Sequence, residues 1–131
     1  MKVVEIKKHG GPEVLYIGSR PVPRPKKNEV LIKVKAAGIN RPDILQREGN
    51  YPPPKGESDI LGLEVSGEVV ELGEKTKNIK IGDKVCALVS GGGYSEYCLA
   101  PYSQCLPIPK NINFEEASTI PETFFTVWFN L

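Results

Sequence analysis

Alternation of apolar and polar residues is the strongest signal along this chain. In residues 29–37, EVLIKVKAA, Val30, Ile32, Val34 and Ala36 fall on one face and Lys33 and Lys35 on the other, the period-two pattern of a half-buried strand. Residues 1–7 alternate in the same way, and 15–19, 65–72, 84–89 and 94–100 read as further short strands. Pro21, Pro23 and Pro25 each lack a backbone N–H, so that stretch is an extended surface connection rather than a central strand. Gly10-Gly11-Pro12 and Gly91-Gly92-Gly93 read as reversals, and residues 49–56, which contain Pro52-Pro53-Pro54, as a loop.

Three segments carry helix signals instead. Asn40 can cap a short helix with Pro42 in its first turn and Ile44 and Leu45 turned inward. Asn113 followed by Glu116 fits a reciprocal cap that opens one or two turns. Pro121 then begins PETFFTVWFNL, where Phe124, Phe125, Val127, Trp128, Phe129 and Leu131 leave little polar surface. A helix so apolar needs a surface to bury against: its own barrel, a following domain or a second copy of the chain. Short strands separated by turn signals predict a mainly β chain, a Greek-key or partly open barrel with short helices.

Composition narrows the function classes. At 131 residues the chain is one ordinary domain, and 17 basic against 16 acidic residues give a net charge of +1. That balance offers no attraction for nucleic acid or an anionic membrane. The Lys residues at 75, 77, 80 and 84 have no interleaved aromatics and read as a solvated rim. No apolar run approaches the roughly 20 residues that span a bilayer. Cys86, Cys98 and Cys105 form no CxxC pair, so they read as free thiols in a reducing, cytoplasmic setting.

Five ordered segments carry a family resemblance: HGGPEVL, AAGINRPDILQREGNYPPP, ILGLEVSGEVVELG, IGDKVCALVSGGGYSEYCLAP and IPETFFTVW. Through them the whole chain resembles the N-terminal catalytic domain of zinc-independent quinone oxidoreductases in the medium-chain dehydrogenase/reductase superfamily. The resemblance implies a GroES-like domain over residues 1–120 and the start of an interdomain helix, cut short, over 121–131. A Rossmann domain would follow and hold NADPH; no strand-to-helix glycine fingerprint for a pyrophosphate occurs in this chain.

In zinc-dependent relatives a Cys, a nearby hydroxyl residue and the His of a Gly-His-Glu triplet build the metal and proton-relay site. The matching positions here are Asn40, Pro42 and Leu63, so the resemblance implies no metal. Without a Lewis acid an ordinary ketone forfeits several kcal/mol of transition-state stabilisation. An acceptor that is already electron-poor, a quinone or conjugated enone, suits such a site. The resemblance places Asn40 beside nicotinamide and substrate, Arg41 near the pyrophosphate and Thr126 facing the nicotinamide. Tyr51, in the loop GNYPPP, offers a hydroxyl to a quinone oxygen. Glu64 reads as a structural acceptor, Tyr94 as cleft-lining or barrel packing, and His9 as surface.

These readings converge on the N-terminal portion of an NADPH-dependent, metal-independent quinone oxidoreductase, inactive without its dinucleotide-binding domain. A second reading is a truncated or split barrel that binds a partner chain and catalyses nothing. A third, an assembly module shaped like the chaperonin caps, leaves Asn40 and Tyr51 without purpose.

Overall fold

In the computed structural model, which describes residues 1–131, the alternating segments pair into two antiparallel sheets. Strands β1 (Lys2–Ile6) and β2 (Leu15–Ser19) form a hairpin around a 3-10 turn at Pro12–Val14. Strands β3 (Glu29–Ala37), β4 (Glu64–Leu72), β5 (Lys84–Leu88), β6 (Tyr97–Pro101) and β7 (Cys105–Pro107) form the main sheet in the order β6-β3-β4-β5-β7. Three successive strands lie side by side and the fourth returns beside the first, which is a Greek key. The hairpin closes on it where Val4 N–H donates to Tyr94 O at 2.8 Å and Glu96 N–H to Lys2 O at 3.1 Å. The mainly β, GroES-like architecture read from the sequence is therefore the one observed, with no Rossmann unit.

Period-two alternation decides what the sheet buries. Val30 and Ile32 of β3, Val65 and Val69 of β4, Val85 and Ala87 of β5, and Cys98 and Ala100 of β6 make one apolar core. Lys33 and Lys35 point to solvent, as their alternation required. Between Val65 and Val69 the inward position is Gly67, where a Cβ would overlap the backbone carbonyl of Lys33. The β3–β4 ladder also shifts register at Leu31/Ile32 and at Val34/Ala36. The opposite face of β4 and β5 is polar yet buried: Glu64, Ser66 and Cys86 lie under the C-terminal helices α2 (Phe114–Ala117) and α3 (Pro121–Asn130). Ser66 Oγ donates to Phe114 O at 2.5 Å and so ties α2 to the sheet. The Asn113–Glu116 cap forms as expected, with bonds of 2.8 and 3.0 Å.

Two expectations need correction. Ile44 and Leu45 were to turn inward on α1 (Arg41–Glu48), but the residues it buries are Asp43 and Gln46. The helix packs on the backbone of residues 59–62, whose polar groups must be paired: Gln46 Nε2 donates to Asp59 O at 3.0 Å and Asp43 Oδ1 accepts Gly62 N–H at 3.2 Å. The strand read over 94–100 is shorter, because residues 94–96 turn toward β1, with only Glu96 O still accepting from β3, at Val34 N–H. Strand β7 has no alternation long enough to announce it.

An ion-pair cluster holds the hairpin to this region. Arg20 bonds Glu5 at 2.7 Å and Asp59 at 2.6 Å, and those hydrogen bonds hold both carboxyls below their usual range. No helix is long and apolar enough to cross a membrane.

Burial pushes the Cys98 thiol up to about 12. In the unfolded chain it ionises near 8.5, so the Cys98 contribution to stability is level below that pH and declines from there toward pH 12. Urea unfolding at stepped pH checks this: Cys98→Ala makes the alkaline decline shallower and leaves the share due to Cys86, Cys105 and Tyr94, whose ionisation burial also raises.

Candidate functional site

Glu64 begins β4 and is 1% exposed. Neither of its oxygens meets a cation. Oε1 accepts from Asn40 Nδ2 at 2.9 Å and Oε2 accepts from Glu122 N–H at 2.9 Å, in the first turn of α3. A helix N-terminus leaves N–H groups unpaired and carries partial positive charge, so it suits a buried carboxylate. Gly38 sits against the same side chain; any Cβ there would overlap the carboxylate. Glu64 was expected to accept from neighbouring backbone or a basic partner; it accepts one backbone N–H, from distant Glu122, and the Asn40 side-chain amide, and pairs with no basic group.

Asn40 precedes α1 with φ −127° and ψ 159°. Its carboxamide faces the Asp43 N–H without a close bond, because its nitrogen is turned to Glu64. Asp43 completes the cap from the other side. Its Oδ2 accepts Asn40 N–H at 2.9 Å and the Tyr94 hydroxyl at 2.8 Å, while Oδ1 takes Gly62 N–H. Burial, then this contact with Asp43, pushes the Tyr94 hydroxyl well above its usual range. Tyr94 is thus a neutral donor held inside the domain and does not line the cleft.

Beside this network lies a cleft of about 220 Å³ lined by Pro42, Tyr51, Pro54, Leu63, Leu88, Val89, Ser90 and Glu122. Of the three positions that diverge from the zinc pattern, Pro42 and Leu63 share its wall and Asn40 does not. Gly62, at φ 103°, lets the chain turn there, and a Cβ on it would lie 2.7 Å from Gly93 Cα. The glycine triplet is no phosphate cradle: Gly92, Gly93 and Tyr94 N–H groups donate to Ile60, Gly62 and Leu61 carbonyls. Tyr51 is 42% exposed and its hydroxyl has no protein partner. It also edges a neighbouring groove of about 630 Å³ that carries Lys8, His9 and Arg20. A further cavity of about 350 Å³ lies around Ser58, Gly91 and Tyr97, and Asn40, Tyr51 and Leu63 take no part in it.

The structure therefore brings Tyr51, Pro42 and Leu63 into one cleft; Asn40 does not line it and is linked to its wall through Glu64 and Glu122. Arg41 and Thr126 do not join them. Arg41 is exposed and forms no ion pair, and Thr126 is exposed on α3. No three His, Cys, Asp or Glu side chains cluster as a metal set. Sequence reasoning missed Asp43 and Glu122. Asp43 was visible as the third residue after a capping Asn; Glu122 was not, since its partner lies 58 residues away.

Fold and cleft together define a GroES-like domain. The chain belongs to the alcohol dehydrogenase GroES-like domain family, matched over residues 26–110, within the medium-chain dehydrogenase/reductase superfamily. It is 35% identical to a quinone oxidoreductase of Lama guanicoe over 98% of its length, and 34% identical to the mouse synaptic vesicle membrane protein VAT-1 homolog-like, again over 98%. It covers 39% and 31% of those two relatives. Among solved structures, Escherichia coli quinone oxidoreductase complexed with NADPH aligns over the whole chain with a TM-score of 0.89 and 35% identity, the chain covering 40% of that protein. The human VAT-1 homolog-like structure aligns with a TM-score of 0.92 and 34% identity, the chain covering 42% of it. The chain thus spans about two fifths or less of the relatives it matches.

Asp43→Ala would orphan the Tyr94 hydroxyl and two buried N–H groups. It should cost on the order of 3 kcal/mol in urea unfolding, against about 1 kcal/mol for Tyr94→Phe. Equal costs would show that Asp43 matters only as a partner of Tyr94.

Proposed function

We propose that this chain is the substrate-side domain of an NADPH-dependent reductase that passes hydride to a quinone or conjugated enone without a metal. Residues 1–120 would form the domain and 121–131 the start of a helix leading to the dinucleotide-binding part. The observation that carries this reading is the cleft wall of Pro42 and Leu63, which shares Glu122 with the network in which Glu64 holds the Asn40 carboxamide.

In that reading NADPH, when bound, supplies the hydride. The residues of this chain fit a contact beside the nicotinamide ribose, through Asn40 and Thr126, with Arg41 free for a phosphate. They offer no pyrophosphate cradle, because the Gly92 and Gly93 N–H groups are already paired. The negative charge that reduction would build on the conjugated carbonyl oxygen would be met by donors of this chain until a proton from water neutralises it. Asn40 Nδ2 carries two hydrogens. One is given to Glu64 and the other is available to that oxygen. Tyr51, with no partner of its own, offers a second donor from the cleft wall. Pro42, Pro54, Leu63, Leu88 and Val89 make the rest of the surface apolar, which suits a flat, neutral acceptor.

The full-length protein carrying this domain should reduce a quinone with NADPH after exhaustive chelation. Asn40→Ala should lower its kcat/KM about tenfold, the worth of one hydrogen bond to developing charge. Activity lost to chelator and restored by zinc would overturn the reading, and so would micromolar binding of NADPH to the 131-residue chain alone.

The apolar face of α3 bears on partners. Trp128 is 82% exposed and Phe129 90%, so the helix is not covered by its own barrel. In our reading a dinucleotide-binding domain packs there, or a second copy of the chain where that domain is missing. Trp128 is the one Trp of the chain, so covering α3 shifts its fluorescence to shorter wavelength. A concentration-dependent shift of the 131-residue chain marks self-association. A blue emission found only in the full-length protein marks the domain.

A further inference from the structure

We propose that Glu64 is a positioning residue that couples the setting of α3 to the Asn40 carboxamide. The inference rests on the functional reading only for what Asn40 does to an acceptor; the coupling is a property of this chain.

Asn40 ends the connection from β3, and Glu122 lies in the first turn of α3. No hydrogen bond joins them directly. Both donate to one carboxylate, each at 2.9 Å, from opposite oxygens. That carboxylate cannot turn to solvent instead. It is 1% exposed, Gly38 N–H fixes its own backbone carbonyl at 3.2 Å, and the Gly38 backbone fills the space beside it. No Lys, Arg or His pairs with Glu64, so its charge is met by these two donors alone. Withdrawing one leaves a buried anion under-solvated and pulls it toward the other.

Helix α3 is built to transmit such a displacement. Pro121 is its one buried residue, and every position from Thr123 onward is exposed. Its seat on the barrel is therefore set at its first turn, by the bond to Glu64, and by whatever covers its apolar face. The side chain of Glu122 lines the cleft while its N–H holds the carboxylate. A tilt of α3 thus moves the cleft wall and the Asn40 amide together, through one side chain.

The test is a thermodynamic cycle on the 131-residue chain by urea unfolding. Asn40→Ala removes one donor; Glu122→Pro removes the other, read against Glu122→Ala, which loses the side chain but keeps the N–H. Groups with a shared partner couple, whereas independent ones add. With Glu64 present, the double variant should depart from additivity by at least about threefold in the unfolding constant. In a Glu64→Gln background, where one oxygen becomes a donor, the departure should vanish. Additivity with Glu64 intact would overturn the proposal, and so would an undiminished departure in Glu64→Gln. If Glu64→Gln does not fold, the first cycle and the readout that follows decide. A purely structural Glu64 would couple its donors in unfolding too, so the Asn40 side-chain NH2 resonance supplies the second readout: it should shift when the Glu122 N–H is removed, and its constancy there would overturn the proposal. Coupling without quinone reduction in the full-length protein would sink the functional reading and leave this inference standing; reduction without coupling would do the reverse.

Discussion

A carboxylate buried without a cation has to be satisfied by neutral donors, and Glu64 organises the structure around that requirement. Its two oxygens take the Asn40 amide and the Glu122 N–H. Desolvating a carboxylate costs several kcal/mol unless such bonds replace water. The unpaired N–H groups of a helix start supply part of the compensation and orient their dipole toward it. The dependence runs both ways. α3 begins where it does because an acceptor waits there, and Asn40 points as it does because Glu64 leaves it a single orientation. Asp43 repeats the device one turn away, taking two backbone N–H groups and the Tyr94 hydroxyl with no base nearby.

The same alternation that builds the barrel separates structure from chemistry. On β4 and β5 the odd-numbered positions Val65, Val69, Val85 and Ala87 face the core. The even-numbered Glu64, Ser66 and Cys86 face the helices. A one-residue slip of β4 would exchange these sets and place Glu64 in the hydrocarbon core. Glycine at position 67 guards against this, because the close approach of Lys33 O leaves no room there for a side chain. Register, site and helix seat are thus fixed by the same nine-residue strand.

How much of this the sequence disclosed follows from how local each cause is. The strands from 29–37 and 84–89, the Asn113–Glu116 cap and the break at the triple proline were legible because neighbours in sequence produce them. The wrong inward face of α1 shows the limit. Ile44 and Leu45 have the apolar character of a buried pair, yet the surface they would meet is backbone from residues 59–62, which demands Asp43 and Gln46. The site divides in the same way. Leu63 and Pro42 were found from a motif and do line one cleft. The role of Glu122 depends on a bond across 58 residues that no local pattern encodes.

In the functional reading, charge decides which acceptors this cleft can serve. Hydride addition to a simple ketone leaves its negative charge on one oxygen. A metal ion would meet that charge directly; a carboxamide and a phenol offer only partial positive charge. Two carboxylates also stand close by, Glu122 in the wall and Glu64 behind Asn40, and a localised alkoxide would feel both. A quinone or enone spreads the incoming electron pair over a conjugated system, so less charge sits at any one atom and the penalty falls. The α3 dipole works in the same direction, since it offsets the Glu64 charge only while the helix stays seated. A site of this kind rejects unconjugated carbonyls by electrostatics rather than by shape.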